Sequence, residues 1–280
     1  MGNVFISYGD KKFRKSLKRI RKQAKNVGIF DKIITFTPKD LPLYIRCSPL
    51  FSSMKGGGYW LWKPYIINYA LGKCHEGDVL YYVDAGCTLN PNSKEWGNFQ
   101  ELLTDHQAIV FQYRNNHNYK GWDQYCKNPN NNNPALKHWI KPLTKEYFTR
   151  YLGSENFLDF NKIMGGIIII KRTQNTPIFL SEWLNISLFH PELLCDPFGE
   201  DLNRLPETFN VHRHDQTIIT PLVYKYKDVD GIIVLPETSE SSKEDASIIA
   251  SRTVIWSWSW KDRIIFHIQN FFHKRFHESR

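Results

Sequence analysis

The feature that most constrains this chain is the run VLYYV at Val79–Val83, which stops abruptly on Asp84-Ala85-Gly86. Five consecutive apolar residues show no alternation between a wet and a dry face. A strand of this kind is expected to be buried on both sides, as in a mostly parallel sheet covered by helices. A carboxylate placed directly after such a strand is costly unless something positive meets it. A divalent cation bridging a diphosphate would do so. The simpler alternative is an Asp that caps the following turn.

The rest of the chain is punctuated in the same style. Short apolar runs at 4–8, 33–36, 108–113, 167–170 and 232–235 read as strands. Between them, Phe13, Leu17 and Ile20 recur at helical spacing within a basic stretch, and 59–71, 144–152, 179–188 and 214–224 read as helices. Pro38, Pro42, Pro49 and Gly56-Gly57-Gly58 make 38–58 a long irregular segment, and 128–134 is an Asn-rich loop. The Ser-rich stretch 237–251 reads as a mobile loop, and Trp256, Trp258 and Trp260 alternate as in an extended segment. Strands alternating with helices imply one open, mostly parallel, Rossmann-like α/β sheet over residues 1–260. Residues 261–280 form a separate basic amphipathic C-terminal helix in this reading.

Charge narrows the partners. The net charge is +9, concentrated at 11–25 and 261–280, so the chain seeks anions: phosphorylated small molecules, nucleic acid or an anionic membrane. No nucleic-acid-binding motif, no G-x-x-x-x-G-K-[ST] loop and no G-x-G-x-x-G is present. The five cysteines are odd in number and contain no C-x-x-C pair, which argues against a zinc site or a disulfide framework. Free thiols, no leader-like start and no apolar run approaching about 18 residues together imply a cytoplasmic protein.

Ligands of open α/β sheets sit beyond the carboxyl ends of the strands. Tyr8-Gly9-Asp10 and Asp84-Ala85-Gly86 both fall there. Lys63 follows the triple glycine, with a flexible loop and an apolar helix as the bland reading of that segment. Gly165-Gly166 precede IIII and permit close approach of a ligand to backbone, or form a tight turn. Asp215-Gln216 open a helix, where Asp215 is either a helix cap or a group aimed at a sugar.

The order of these motifs resembles that of GT-A glycosyltransferases, over residues 3–225. GGGYWLWKPYIINYAL followed by GDVLYYVDAG is similar to a signature of small bacterial enzymes that build capsule or lipopolysaccharide sugars. Asp215-Gln216 resembles the Asp-Gln-Asp motif of the retaining family-eight enzymes. The resemblance implies a GT-A-type domain that moves a sugar, with retention, from a UDP-linked donor to a glycan or lipid-linked saccharide. It implies that Tyr8, Gly9, Asp10, Lys63, Asp84, Gly86, Gly165 and Gly166 line the donor site. Asp84 would ligate Mn or Mg, and Asp215 and Gln216 would face the transferred sugar. Two departures stand out: Gly86 occupies the second carboxylate position of Asp-x-Asp, and the family's C-terminal H-x-x-G-x-x-K-P-W is absent. A nucleotidyltransferase, a basic nucleic-acid-binding protein and a non-catalytic carbohydrate-binding protein are the competing readings. In 261–280, Ile264, Ile265, Ile268, Phe271, Phe272 and Phe276 fall on one side of a basic helix. That pattern suits docking on the inner face of a membrane, or packing of the same face on the sheet.

Overall fold

The computed structural model describes residues 2–53, 55–115, 119, 133–175, 177–240 and 245–251. The expected C-terminal helix, the three alternating tryptophans and most of the Asn-rich loop lie outside the described residues.

The chain opens with β1 (Asn3–Tyr8) and α1 (Arg14–Val27), whose Leu17, Ile20, Ala24 and Val27 are buried at helical spacing. Gly28, in the left-handed conformation at φ 79°, ends the helix. There follow β2 (Lys32–Phe36), α2 (Trp62–Leu71), β3 (Val79–Val83), the two-residue β4 (Thr88–Leu89) and α3 (Glu95–Asp105). The second half contains β5 (Ala108–Gln112), α4 (Pro142–Leu152), β6 (Ile163–Lys171) and α5 (Ile178–Phe189). It ends with α6 (Gln216–Tyr226), β7 (Ile232–Pro236) and β8 (Ile248–Ile249).

Six strands form one sheet in the order β2-β1-β3-β6-β5-β7, and β4 pairs with β8 beside it. β6 is antiparallel to both of its neighbours, and the other five strands run one way. The open, mostly parallel α/β sheet expected from the sequence is therefore present. The all-apolar run of β6 is buried on both faces, as expected, yet the strand runs against its neighbours: apolar continuity reports burial, not direction. Along β3, Leu80 and Tyr82 enter the core under α2, α5 and α6, with Ile66, Trp183 and Ile218. Val79, Tyr81 and Val83 enter the opposite core under α1 and α3, with Ile20, Trp96 and Leu103. Each such side chain contributes about 1.5–3 kcal/mol on burial. Helices cover both faces, and the carboxyl ends of the parallel strands are left for a site.

Three local expectations are corrected. Gly165 and Gly166 do not form a turn before a strand; they lie inside β6. The Ser-rich stretch is not a free loop in its described parts. Ser247 donates through N and Oγ to Glu95 Oε2 at 2.8 and 2.9 Å, and Ile248–Ile249 pairs with β4. Its serines serve as internal donors, which a composition-based reading takes for solvation. The triple glycine is likewise not slack. Gly56, Gly57, Gly58, Tyr59 and Trp60 all have positive φ, at 59, 58, 97, 51 and 60°, and make a left-handed turn into α2. Tyr59 and Trp60 each cost about 1–2 kcal/mol in this conformation. The surroundings over-determine it: Trp62 Nε1 donates to Gly56 O at 2.9 Å, and Tyr59 Oη donates to Asp196 Oδ2 at 3.1 Å. Trp60 also stacks on His214, with ring centroids 5.2 Å apart.

Candidate active site

The site grows out of β3. Its apolar residues are consumed by the two cores, so the chain reaches the sheet edge at Asp84 with no freedom to slide. Asp84 N donates to Gly166 O at 2.8 Å, and Cys87 N closes the next turn on Asp84 O at 2.9 Å. The Asp84 carboxylate does not cap that turn. It accepts the Tyr82 hydroxyl and faces Lys63 Nζ at 3.7 Å.

Lys63 sits in the first turn of α2 and is buried. Its ammonium donates to Asp215 Oδ2 at 2.5 Å and to Gly165 O at 2.9 Å. Three elements distant in sequence thus meet on one cation. Burial works against the charge on Lys63, but Asp215 and Asp84 outweigh it and hold the ammonium above the ordinary lysine range. Burial lifts the Asp215 carboxyl above its ordinary value, and Lys63 offsets only part of that rise. Asp215 precedes α6 but makes no side-chain cap bond, so the capping alternative is set aside by its tie to Lys63.

The glycines of β6 have a steric reason. A Cβ at Gly165 would stand 2.7 Å from Asp215 Oδ2, and one at Gly166 would stand 3.1 Å from Asp84 Oδ2. At Gly165 a side chain would force Asp215 to shift, whereas at Gly166 the more open Asp84 carboxylate would have to give by only a few tenths of an ångström.

Beside this cluster lies a cleft of about 140 Å³ lined by Asp84, Gly86, Cys87, Gln216 and Glu240, among others. Gln216 Oε1 is buried there, without a hydrogen-bond partner among the described residues. A carbonyl oxygen in that state is an acceptor waiting for a donor such as a hydroxyl. Cys87 is buried, and burial together with Asp84 and Glu240 pushes its thiol well up, so it is a packing group and not a nucleophile.

The structure brings together Lys63, Asp84, Gly86, Gly165, Gly166, Asp215 and Gln216. It places Tyr8, Gly9 and Asp10 differently. Tyr8 stacks on Trp62 at 3.8 Å between centroids, and Asp10 Oδ1 accepts Phe13 N at 3.0 Å ahead of α1. None of the three lines the cleft beside Asp84; Tyr8 and Asp10 adjoin the left-handed turn, where a Cβ on Gly57 would meet Asp10 Oδ2 at 3.4 Å, and Gly9 N donates to Phe36 O at 3.0 Å. Glu240 was missed from the sequence. It follows β7 within the Ser-rich stretch, where no periodicity marks it, and its Oε1 accepts the Tyr113 hydroxyl at 3.0 Å. Among the described residues, no group of three His, Cys, Asp or Glu is arranged to hold a metal ion.

No protein-family model matches the chain, and no curated protein sequence matches it. Similar solved structures include a glycosyltransferase involved in glycosylation of the major capsid of PBCV-1. It has a TM-score of 0.43 at 11% identity, over 95% of this chain and 98% of that one. The galactosyltransferase LgtC, in complex with donor and acceptor sugar analogues, gives 0.36 at 12% identity over 95% of each chain. Mouse xyloside xylosyltransferase 1 gives 0.39 at 12% identity, over 83% of this chain and 71% of that one. The likeness at these scores is one of outline, and the chemistry rests on the geometry of the site itself.

Proposed function

We propose that this protein is a glycosyltransferase using a nucleotide-diphosphate sugar, UDP-linked, and a glycan or lipid-linked saccharide acceptor. The observation that carries the reading is the buried Lys63 ammonium held between Asp84 and Asp215 at the carboxyl edge of the sheet. Such an edge is where open α/β proteins bind ligands. A diphosphate needs positive charge, and a sugar needs acceptors for its hydroxyls. The ammonium, bonded to Gly165 O, stands behind Asp84 beside a cleft that Gly166 and Gln216 line, and together these groups would serve both needs.

Roles follow from the bonds. Asp215 is tied to an ammonium at 2.5 Å, so its basicity is already engaged. That favours a carboxylate that steadies positive charge on the departing sugar over one that deprotonates the acceptor, and hence retention. Asp84, more open than Asp215, faces the cleft and is the donor-side carboxylate. Where a divalent ion accompanies the diphosphate, Asp84 would hold it, with Glu240 as a second carboxylate lining the same cleft. That ion would neutralise charge on the leaving phosphate. Residues 1–260 act as the catalytic domain in this proposal, and 261–280, which lie outside the described residues, supply further basic charge towards a cytoplasmic membrane surface. Among the described residues no helix is long and apolar enough to cross a membrane.

A thermal-shift screen of nucleotide sugars, with and without Mn²⁺, tests the reading, because a ligand that binds the native state raises its melting temperature. UDP-sugars should protect the wild type and fail to protect Asp84→Asn. NMR of the product then reads the anomer. Protection by no nucleotide sugar, or equal protection of Asp84→Asn, would remove the assignment.

A further inference from the structure

α1 carries charges that work against its own stability. Its sequence, RKSLKRIRKQAKNV, contains no acid, and its first turn has neither an acidic residue nor a side-chain cap. Arg14 and Lys15 therefore sit at the positive end of the helix dipole, where the nearby acid Asp10 lies ahead of the helix and is bonded to Phe13 N. Arg14, Lys15, Lys18, Arg21, Lys22 and Lys25 are all exposed. Among the described residues, none of the six forms a salt bridge. Arg14–Lys18, Lys18–Lys22 and Arg21–Lys25 are like-charge pairs at i,i+4, which destabilise a helix. At 3.6 residues per turn the six fill an arc of about 120°, facing away from buried Leu17, Ile20, Ala24 and Val27. Apolar packing on the sheet and the inward bonds of Arg19 and Gln23 hold the helix, and neither involves the six cations. Its outer face is arranged for a partner that brings negative charge.

We propose that the outer face of α1 docks the protein on an anionic lipid bilayer. The face is one uninterrupted helix, about 17 Å from Arg14 to Lys25 at 1.5 Å per residue. A flat anionic surface meets all six cations at once. Four of the six are Lys, a point charge suited to the diffuse potential of a lipid surface and not to bidentate recognition. The arc holds no aromatic side chain to stack on a base, and the one exposed amide that borders it is Asn26, which disfavours nucleic acid. Arg19, at the border of the arc, reaches inward: its Nη2 donates to Ala85 O at 2.9 Å and Cys87 O at 2.8 Å. The docked face therefore lies one side chain away from the turn that carries Asp84. The proposal concerns a surface and stands whatever reaction the cleft performs.

The test is co-sedimentation of the full chain with phosphatidylcholine vesicles, with and without phosphatidylglycerol. Binding is expected only to the anionic vesicles, weakening as salt rises. The triple change Lys15→Gln, Lys18→Gln and Lys22→Gln should lower partitioning about 100-fold, at roughly fivefold per cation. Because it relieves like-charge pairs, this variant should melt no lower than the wild type. Equal binding to both vesicle types, binding insensitive to salt, or full binding by a folded triple variant would overturn the proposal. So would a triple variant whose loss is confined to duplex DNA, which would transfer the face to nucleic acid. If truncation after 260 abolishes binding while the triple variant keeps it, the C-terminal segment and not α1 is the docking element.

Discussion

Replacing Lys63 by Met removes the ammonium while keeping an unbranched apolar stem in the same slot. The loss falls on Asp215, which is buried and loses its contact at 2.5 Å, and on Gly165 O, which loses a donor at 2.9 Å. Breaking a buried ion pair by deleting one partner costs about 3–5 kcal/mol, because the survivor stays buried and uncompensated. At about 2–4 °C per kcal/mol for a chain of this size class, the melting temperature should fall by roughly 10 °C. The pH dependence has a definite sign. Burial already lifts Asp215 above the ordinary carboxylate value, and losing Lys63 lifts it further. An acid whose folded pKa exceeds its unfolded one costs stability at high pH and nothing below the unfolded value of about 3.9. The penalty of Lys63→Met should thus be full at neutral pH and fade as pH falls towards 4. Urea unfolding followed by circular dichroism measures it, and Lys63→Met/Asp215→Asn supplies the control. Removing the stranded carboxylate should restore at least about 2 kcal/mol, since neighbours in one network are not additive. A single change costing less than about 1 kcal/mol, or a double variant no better than the single, would refute the central pairing.

Gly165→Ala should destabilise by roughly 1–3 kcal/mol and cost more than Gly166→Ala, because its Cβ would meet Asp215 Oδ2 at 2.7 Å against 3.1 Å from Asp84; equal tolerance in urea unfolding would move Asp215 away from β6. Burial above all pushes His214 down to about 3 and His212 well below its ordinary value. A histidine depressed by folding stabilises above its unfolded pKa and loses that contribution as pH falls, so stability should drop from pH 6.5 towards 4. The slope should approach 1.4 kcal/mol per pH unit for each histidine; His214→Asn, which tolerates the left-handed backbone at φ 46°, should halve it. An unchanged slope would assign the acid sensitivity elsewhere. Arg19→Gln removes the two bonds to the Asp84 turn and should raise the donor KM several-fold with kcat nearly unchanged; a pure kcat effect would contradict a positioning role.

The residues of the candidate site divide by how far apart their partners lie. Asp84 was legible because its marker is local: an apolar strand that ends on a carboxylate. Lys63, Gly165, Gly166 and Asp215-Gln216 were each visible as oddities of their own segments. Their meeting was not visible, because Lys63 bonds Gly165 across 102 positions and Asp215 across 152. Tyr8-Gly9-Asp10 marks the end of the right strand, but strand order sets which edge neighbour it faces, and Tyr8 and Asp10 face the left-handed turn. Glu240 carried no local mark at all.

By itself, the sequence determined the elements whose signals are periodic. Apolar runs marked β1, β2, β3, β5 and β7, and apolar residues at helical spacing marked α1, because burial of one face acts on side chains near each other along the chain. The helix α3 lay in a stretch read as neither helix nor strand, although it buries Trp96, Phe99 and Leu103. Only the tertiary structure decided that β6 runs against its neighbours and passes straight through its two glycines. The same holds for Gly56–Trp60: glycine permits positive φ, but the contacts from Asp196 and His214 impose it on Tyr59 and Trp60 as well. Local preferences amount to about a kilocalorie per residue, and a packed neighbour or a buried ion pair outweighs them.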